Sequence, residues 1–223
     1  MRKLPDRVWR LPRQEGDEAA EEEGIGRILA LSDGVFAIAV TLLILDIAVP
    51  ATTNNNDLSS ALLALWPNYL AYLLSFLVIS RFWVIHREAF RLIARADAAL
   101  VWLNLLLLLF IAFLPFPTAV LGEHTGSPAA AVLYAAAVCL TSAASAACFW
   151  YASGRGNLLR PDVGRAHIRA TRARALSGPV FFALTVPLAA FFPYVAAAVW
   201  FLAFPVGRIS FVWFLAEEPE QPG

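Results

Sequence analysis

Six long apolar stretches dominate this chain and constrain its fold more than any other feature. In a helix, about 20 apolar residues cross the roughly 30 Å hydrocarbon core of a bilayer, and each stretch is close to that length. Hydrophobic residues make up 60% of the chain and charged residues 15%. Soluble domains have roughly 45 to 50% apolar and about 25% charged residues. The sequence therefore predicts an all-α integral membrane protein and argues against a soluble enzyme.

Loop signals between the apolar stretches set the boundaries of the predicted helices. Proline, polar or glycine-containing segments close the stretches at 50 to 57, 122 to 127 and 153 to 176, the last predicted as a basic loop. The six predicted helices cover residues 28 to 49, 58 to 86, 98 to 121 and 128 to 152, and two more that divide residues 176 to 215 near 192 to 194.

The predicted domain organisation is one six-helix transmembrane domain between two tails. The domain covers residues 27 to 216, and the second tail covers residues 217 to 223. The first tail, residues 1 to 26, is charged and expected to be loose. It lacks the apolar core and cleavage site of a signal peptide, so we expect it to be retained.

The basic residues all fall on one predicted side of the membrane. The chain has 17 basic and 17 acidic side chains, but the loops at 50 to 57 and 122 to 127 contain no Lys or Arg. By the positive-inside rule, this pattern predicts a multi-pass protein of the cell membrane with both termini in the cytoplasm. The same rule accounts for the arginine-rich loops, so no nucleic-acid partner is expected.

The first helix carries a stripe of residues that permits two interpretations. At about 100° per residue, Thr41, Leu42 and Leu45 lie within about 60° of Ile38 around the helix axis. The stripe is either ordinary packing against neighbouring helices or the lining of a pore that copies of this helix surround.

Two aspartates within the same apolar stretch need a partner, a cavity or water. An ionisable group in mid-membrane costs about 2.5 to 3.5 kcal/mol on insertion scales. Ser32 and Asp33 lie away from the stripe, where we expect a structural network with Arg27 or with polar residues of the second helix. Asp46 flanks the stripe at its far end, either as a surface carboxylate or as part of a cation-attracting pore mouth.

Several motifs resemble those of the transmembrane protein 175 family, the bacterial relatives of an endosomal and lysosomal potassium channel. The first is Arg27-x-x-x-Leu31-Ser32-Asp33, which resembles the Arg-x-x-x-Phe-Ser-Asp signature of the first helix, with Leu31 in place of the usual Phe. Further matches are Trp83-x-x-His86, Asn104 and Pro115-Phe116-Pro117-Thr118. The resemblance extends over roughly residues 27 to 121.

The resemblance implies a homotetramer in the lipid membrane, with the first helix lining a central potassium pore. It places a hydrophobic constriction at Ile38, with Leu42 and Leu45 as further layers and Thr41 as a hydroxyl linked to selectivity. The chain has no Thr-Val-Gly-Tyr-Gly loop that could form a filter of carbonyl groups. Potassium enters as the permeant ion, and no cofactor or metal site is implied.

The resemblance also implies that the signature residues hold the first helix against its neighbours. Arg27, Ser32 and Asp33 are expected to do so through groups such as Trp83 and His86.

Three other functions remain open at this point. The first is an ion-coupled or proton-coupled secondary transporter that uses Asp33 or Asp46, although no second copy of the helix-one signature is present. An intramembrane enzyme would have to use His86, Glu88 and Asp97, which lack a nucleophile motif and metal-ligand spacing, so we expect no catalytic residues. A scaffold without ion flux is the third.

Overall fold

The computed structural model describes residues 15–51 and 55–201. Within these ranges the chain is helical apart from turns, short loops and one isolated bridge between Ile93 and Leu159, so the all-α prediction is confirmed. Five segments are long and apolar enough to cross a membrane: Glu23–Asp46, Trp66–Arg91, Ala98–Glu123, Pro128–Ser153 and Arg165–Phe191. The sixth predicted helix is helical at residues 193–201, and its remainder lies outside the described residues, as does the tail at 217 to 223.

The helices follow one another in a simple order along the chain. They are α1 Glu15–Leu42, continued by a 3-10 turn at Leu43–Asp46, α2 Asn55–Ala64, α3 Trp66–Arg91, α4 Ala98–Phe113, α5 Pro115–Glu123, α6 Pro128–Ser153, α7 Arg165–Phe191 and α8 at 193–201.

Helix α1 begins within the segment that the sequence predicted to be a loose tail. It runs without a break from Glu15 to Leu42. Its first turns are rich in Glu and Ala, which favour helix, and carboxylates are stabilised near a helix N-terminus by the backbone dipole. The first 14 residues lie outside the described part of the chain.

The predicted basic loop at 153 to 176 is wrong in its second half. Helix α7 begins at Arg165, with Gly164 as the preceding cap residue. The loop signals Gly154, Gly156 and Pro161 all precede that point, and the Ala, Arg and Leu that follow are good helix formers.

Two predicted helices are each divided by a turn next to a proline. The second predicted helix becomes α2 and α3, with a turn at Leu65 and Pro67 in the first turn of α3. The third becomes α4 and α5, with a turn at Leu114 before Pro115. Proline lacks a backbone donor and clashes with the preceding turn, so it is accommodated best at a helix start.

Helix α6 lies at the centre of the protomer, whereas α1 and α7 keep large exposed faces. In the most apolar window of each helix, 56% of α6 is buried, against 22% of α1 and 11% of α7. Many of the buried residues of α6 are alanines, which allow α4, α5 and α7 to approach it closely. Helix α1 packs on α3 and α4. Its exposed face is therefore free for lipid or for another subunit.

Candidate pore face and the polar groups behind it

Helix α1 has one buried face and one exposed face. The buried side chains follow a helical repeat and have exposed fractions of 2%, 1% and 0% at Phe36, Ala39 and Leu43. The exposed ones follow the same repeat and have exposed fractions of 59%, 42% and 74% at Ile38, Leu42 and Leu45. The stripe defined from the sequence is thus the face that α1 does not bury within its own protomer.

Thr41 places a hydroxyl on this exposed face. Its Oγ1 lies 3.0 Å from the carbonyl oxygen of Ala37 and 2.9 Å from that of Ile38. The hydroxyl proton is therefore donated to the helix backbone, as is common for threonine in helices. The lone pairs of Oγ1 remain available on the exposed side to water or to an ion.

On the opposite side of α1, a chain of hydrogen bonds joins three helices. The Asn104 Nδ2 group on α4 donates to Ser32 Oγ at 3.0 Å, and Ser32 Oγ donates to the Ile28 carbonyl at 2.8 Å. His86 Nε2 on α3 lies 2.8 Å from Asn104 Oδ1. Because the amide nitrogen of Asn104 already faces Ser32, its oxygen must accept, and the imidazole carries its proton on Nε2. Ser32, His86 and Asn104 are all buried.

Aromatic rings hold His86 in place within this chain. Its ring centroid lies 4.3 Å from that of Phe90, nearly parallel, and 5.6 Å from that of Phe36 on α1. Nδ1 has no hydrogen-bond partner among the described residues. With the proton on Nε2, that orphan is a neutral acceptor, which is cheaper to bury than a charge.

Asp33 makes a separate contact with α3 near the protein surface. Trp83 Nε1 donates to Asp33 Oδ1 at 2.8 Å, and the Arg87 guanidinium lies 5.7 Å from the centroid of the Trp83 ring. Arg27 is exposed and makes no hydrogen bond or ion pair within the described part of the chain. The structure thus brings Ser32, Asp33, Trp83 and His86 against neighbouring helices but leaves Arg27 apart.

At the C-terminal end of this segment, Asp46 points one oxygen into its own protomer. Oδ2 is buried and has no hydrogen-bond partner among the described residues. Asp46 is one of the residues that line a small cavity between the 3-10 turn, α3 and α5, together with the polar Asn68, Tyr72 and Thr118. The role of Asp46 at a pore mouth therefore stays a prediction.

Two groups of polar contacts were not anticipated from the sequence. In the first, Thr118 Oγ1 lies 2.7 Å from Ser75 Oγ, which donates at 3.1 Å to the hydroxyl of Tyr134 on α6; all three are buried. Thr118 belongs to a motif that the sequence had singled out, whereas Ser75 and Tyr134 are isolated in apolar helices and gave no signal.

In the second group, Asp97 caps α4 and joins it to α6. Its Oδ1 accepts from the Leu100 backbone N–H at 2.8 Å, and its Oδ2 accepts from the Tyr151 hydroxyl at 2.7 Å. These two hydrogen bonds lower the pKa of Asp97 from its usual value. Glu88, the other acid of the enzyme hypothesis, pairs with Arg91 at 3.1 Å on the surface. Both carboxylates therefore have partners within the protomer.

Comparison with known proteins assigns the chain to a family. The family described as "Endosomal/lysosomal potassium channel TMEM175" matches residues 27–115. A potassium channel of Streptomyces collinus is 46% identical over 168 residues, which cover 74% of this chain and 82% of that protein. The crystal structure of a lysosomal potassium-selective channel TMEM175 homolog from Chamaesiphon minutus superposes with a TM-score of 0.75 at 35% identity, covering 84% of this chain and 98% of that one.

A vertebrate relative carries a different functional name. The endosomal/lysosomal proton channel TMEM175 of Gallus gallus is 42% identical over 97 residues, which cover 40% of this chain and 19% of that protein.

The fold and these matches define an all-α, multi-pass membrane protein of the channel class rather than an enzyme. The chain belongs to the TMEM175 family, as the signature of the first helix predicted.

Proposed function

We propose that the chain is one subunit of a passive potassium channel of the cell membrane, in which four copies of α1 surround the pore. The observation that carries the proposal is the exposed stripe of Ile38, Leu42 and Leu45, set against a fully packed opposite face. The names of the Streptomyces collinus and Chamaesiphon minutus relatives support potassium as the ion.

The number four comes from the resemblance to the family, and the geometry of the protomer supports only that more than one copy is needed. A protomer whose helices pack against one another contributes a single exposed α1 face and cannot enclose a pore alone. Closed rings of identical subunits are the usual solution for soluble and membrane oligomers alike. Because α7 lies beyond α6, away from the helices that contact α1, its exposed face is assigned to lipid.

The orientation follows from the charges at the helix ends. Arg87, Arg91 and Arg95 lie at the end of α3 and after it, and Arg155 and Arg160 lie in the loop after α6. These positions put the C-terminal end of α3 and the N-terminal half of α1 at the cytoplasmic side. Both termini are then cytoplasmic, and Asp46 lies towards the outer side.

Conduction through such a pore depends on the cost of removing water from the ion. Rings of Ile38, Leu42 and Leu45 side chains form an apolar constriction, and hydrophobic constrictions restrict ions by expelling water. Potassium loses its hydration shell at a lower cost than the smaller sodium ion. Selectivity is then kinetic, with Thr41 Oγ1 offering a lone pair next to the constriction.

The polar chain behind α1 keeps its pore face directed inwards. Ser32 and Asp33 attach the helix to α4 and α3 through Asn104 and Trp83, on the side away from the stripe. Their role in this proposal is to position α1, and no ion passes over them.

Replacing Ile38 with Asn tests the constriction directly. A polar side chain there lowers the dehydration barrier, and each 1.4 kcal/mol removed raises conductance about tenfold. We expect larger currents and a smaller preference for potassium over sodium, measured in planar bilayers. Leu184→Asn on α7, where the native leucine is 71% exposed, is the matched control and should leave both unchanged. Identical currents in wild type and Ile38→Asn would remove Ile38 from the pore.

The name of the Gallus gallus relative makes protons the second candidate permeant ion. Flux from liposomes with potassium, sodium or proton gradients separates the candidates. Potassium flux that rises linearly with concentration supports the channel proposed here. Saturating flux driven by a proton gradient supports a transporter that uses Asp33 or Asp46, and the absence of any flux supports a scaffold.

A further inference from the structure

The exposed face of α7 changes from apolar to basic along the helix. At about 100° per residue, three apolar residues lie within about 60° of Arg169 around the helix axis: Leu176, Val180 and Leu184. Their exposed fractions are 42%, 54% and 71%. Arg169 and Arg165 are exposed on the same face. One continuous surface of α7 is therefore apolar in the middle of the helix and basic near its N-terminal end.

The neighbouring helices of the protomer contact the opposite side of α7. Gly178, about 180° from Arg169, lies against Ser142 on α6, where an added Cβ would be 3.3 Å from Oγ. The hydroxyl of Thr185, about 160° from Arg169, accepts a hydrogen bond from Trp200 Nε1 on α8 at 3.1 Å. The basic and apolar face thus points away from the contacts that hold α7 in the bundle.

A third arginine, Arg172, is held in place where the face changes from basic to apolar, about 60° from Arg169. Its Nε donates to Ser153 Oγ at 2.8 Å, and its guanidinium carbon lies 5.6 Å from the centroid of the Trp150 ring. A Cβ at Gly154 would lie 3.1 Å from Nη2, so glycine there leaves room for the guanidinium. The bond to Ser153 uses Nε alone, so the planar pair of terminal nitrogens can bind an oxyanion.

The charge and the polarity of this face match those of a phospholipid at the membrane surface. Residues 155 to 174 contain six arginines and one acidic residue, Asp162, so the local potential is positive. Arginine binds phosphate oxygens through parallel N–H···O bonds. Tryptophan is enriched at the boundary between hydrocarbon and headgroups, and Trp150 is 44% exposed. A phosphate therefore fits the basic part of the face and an acyl chain fits the apolar part.

The positive-inside rule explains the number of arginines here but not their positions. The rule requires basic loops, whereas Arg169 lies on the same helix face as exposed leucine and valine side chains. At the end of α3, by contrast, Arg91 is paired with Glu88 at 3.1 Å. The arginines of α7 thus differ from another basic group on the same side of the membrane.

We propose that α7 and the end of α6 form a binding site for an anionic phospholipid of the leaflet on the arginine-rich side. Arg172 and Arg169 bind the phosphate, Arg165 adds positive potential, and an acyl chain lies along Leu176 and Val180. Basic residues next to the membrane attract anionic lipids at short range. The site uses only the membrane-spanning fold and does not require that α1 line a pore.

The test is thermal unfolding of the purified full chain in detergent micelles at fixed ionic strength, titrated with phosphatidylglycerol or with phosphatidylcholine of the same acyl chains. We expect phosphatidylglycerol to raise the unfolding midpoint by about 3 °C more than phosphatidylcholine does. Inorganic phosphate at the same concentrations should have no effect, because it has no acyl chain for the apolar part of the face. Equal shifts with the two lipids, or an equal shift with inorganic phosphate, would overturn the proposal.

A pair of charge-matched variants locates the site on α7. Arg169→Gln should raise the phosphatidylglycerol concentration needed for half of the midpoint shift about fivefold, with the midpoint without lipid unchanged. Arg91→Gln removes an exposed, ion-paired charge of α3 and should leave that concentration unchanged. Equal effects of the two variants would mean diffuse attraction to the basic side of the protein and would overturn the proposal.

A conservative variant tests the phosphate contact itself. Arg172→Lys keeps the charge but loses the planar pair of donors, so the response to phosphatidylglycerol should weaken. An unchanged response would contradict the contact between Arg172 and the phosphate. Ile38→Asn should keep the full lipid response, so failure of the pore proposal is seen separately.

Discussion

The two ends of the apolar part of α1 carry polar residues in opposite states. At the N-terminal end, Ser32, Asn104 and His86 are joined in one buried chain of hydrogen bonds. At the C-terminal end, Asp46 lines a small cavity, and its buried Oδ2 accepts no hydrogen bond from the described residues. The first arrangement joins three helices of one protomer, whereas the second leaves a buried oxygen without a donor among the described residues.

The two aspartates of this segment show the same contrast. Asp33 has the Trp83 indole as a donor at 2.8 Å, whereas the buried Oδ2 of Asp46 has none. Both aspartates lie in the apolar segment Glu23–Asp46, so the residue type and its place in an apolar segment do not by themselves assign a role. The donors around each carboxylate distinguish them: Trp83 attaches Asp33 to α3, whereas no described donor holds the buried Oδ2 of Asp46.

The largest effect is expected from breaking the hydrogen-bond chain at the N-terminal end of the apolar part of α1. Asn104→Leu leaves the buried His86 N–H without an acceptor and removes the link to Ser32, at a cost of about 3 kcal/mol in the free energy of unfolding. Denaturant unfolding of the full chain in detergent measures it. The matched variant at the other end, Asn68→Leu, should cost about 1 kcal/mol because Asn68 makes no equivalent buried chain. Equal losses in the free energy of unfolding for Asn104→Leu and Asn68→Leu would show that the hydrogen-bond chain adds no stability beyond that of an isolated polar residue.

A smaller effect is expected at the exposed contact of Asp33. Trp83→Phe keeps an aromatic ring but removes the donor, and we expect a loss of about 1 kcal/mol in the same unfolding measurement. Asp33→Asn retains an acceptor oxygen and should cost less than Trp83→Phe. If Asp33→Asn proves the more damaging, the charge of Asp33 matters more than its hydrogen bond.

Most of the fold could be predicted from the sequence because span length and loop composition are local properties. The start of α7 could not be predicted. Its arginines indicated a basic loop, but arginine is also a good helix former, and the glycines and the proline that break a helix all precede Arg165. The separation of α2 from α3 had a local signal in Pro67, since proline is favoured at a helix start.

The candidate site was predictable only where a motif or the helical repeat indicated it. The helix-one signature singled out Ser32 and Asp33, the helical angles defined the stripe, and Trp83 and His86 came from a matching spacing. The contact between Asp97 and Tyr151 joins residues 54 positions apart, and no sequence pattern indicates such a pairing. The cavity at Asp46 arises from three separate segments, so it too needed the structure. The pore roles of Ile38, Thr41, Leu42 and Leu45 stay predictions.

Asp97 provides a carboxylate with known donors against which Asp46 can be compared. Hydrogen bonds from Leu100 and Tyr151 lower its pKa, so its contribution to stability is present above the unfolded pKa of about 3.9 and is lost as pH falls through the lower folded value. Asp97→Asn should therefore be less stable than wild type near neutral pH. The gap should narrow on acidification below about pH 4, measured by unfolding midpoints. A gap that is independent of pH would mean that the charge of Asp97 is not what its donors stabilise.

The smallest effect is expected from narrowing the cavity. Gly122→Ala places a methyl group 3.0 Å from Asn68 Nδ2, so Asn68 must move by a few tenths of an ångström. We expect a change in the free energy of unfolding of about 1 kcal/mol or less. Denaturant unfolding of the full chain in detergent measures the change, and a loss as large as that of Asn104→Leu would show that Asn68 cannot move aside.

The central claim, that the exposed face of α1 lines an ion path, is tested most directly by cysteine accessibility. In a Cys139→Ala, Cys148→Ala background, single cysteines are placed at Ile38 on the exposed face and at Ala39 on the buried face, and potassium currents are recorded while a water-soluble thiol reagent is applied. If the exposed face of α1 lines the ion path, the reagent blocks the Ile38→Cys channel rapidly and does not block the Ala39→Cys channel. Equal rates at the two positions, or currents at Ile38→Cys that the reagent leaves untouched, would contradict it.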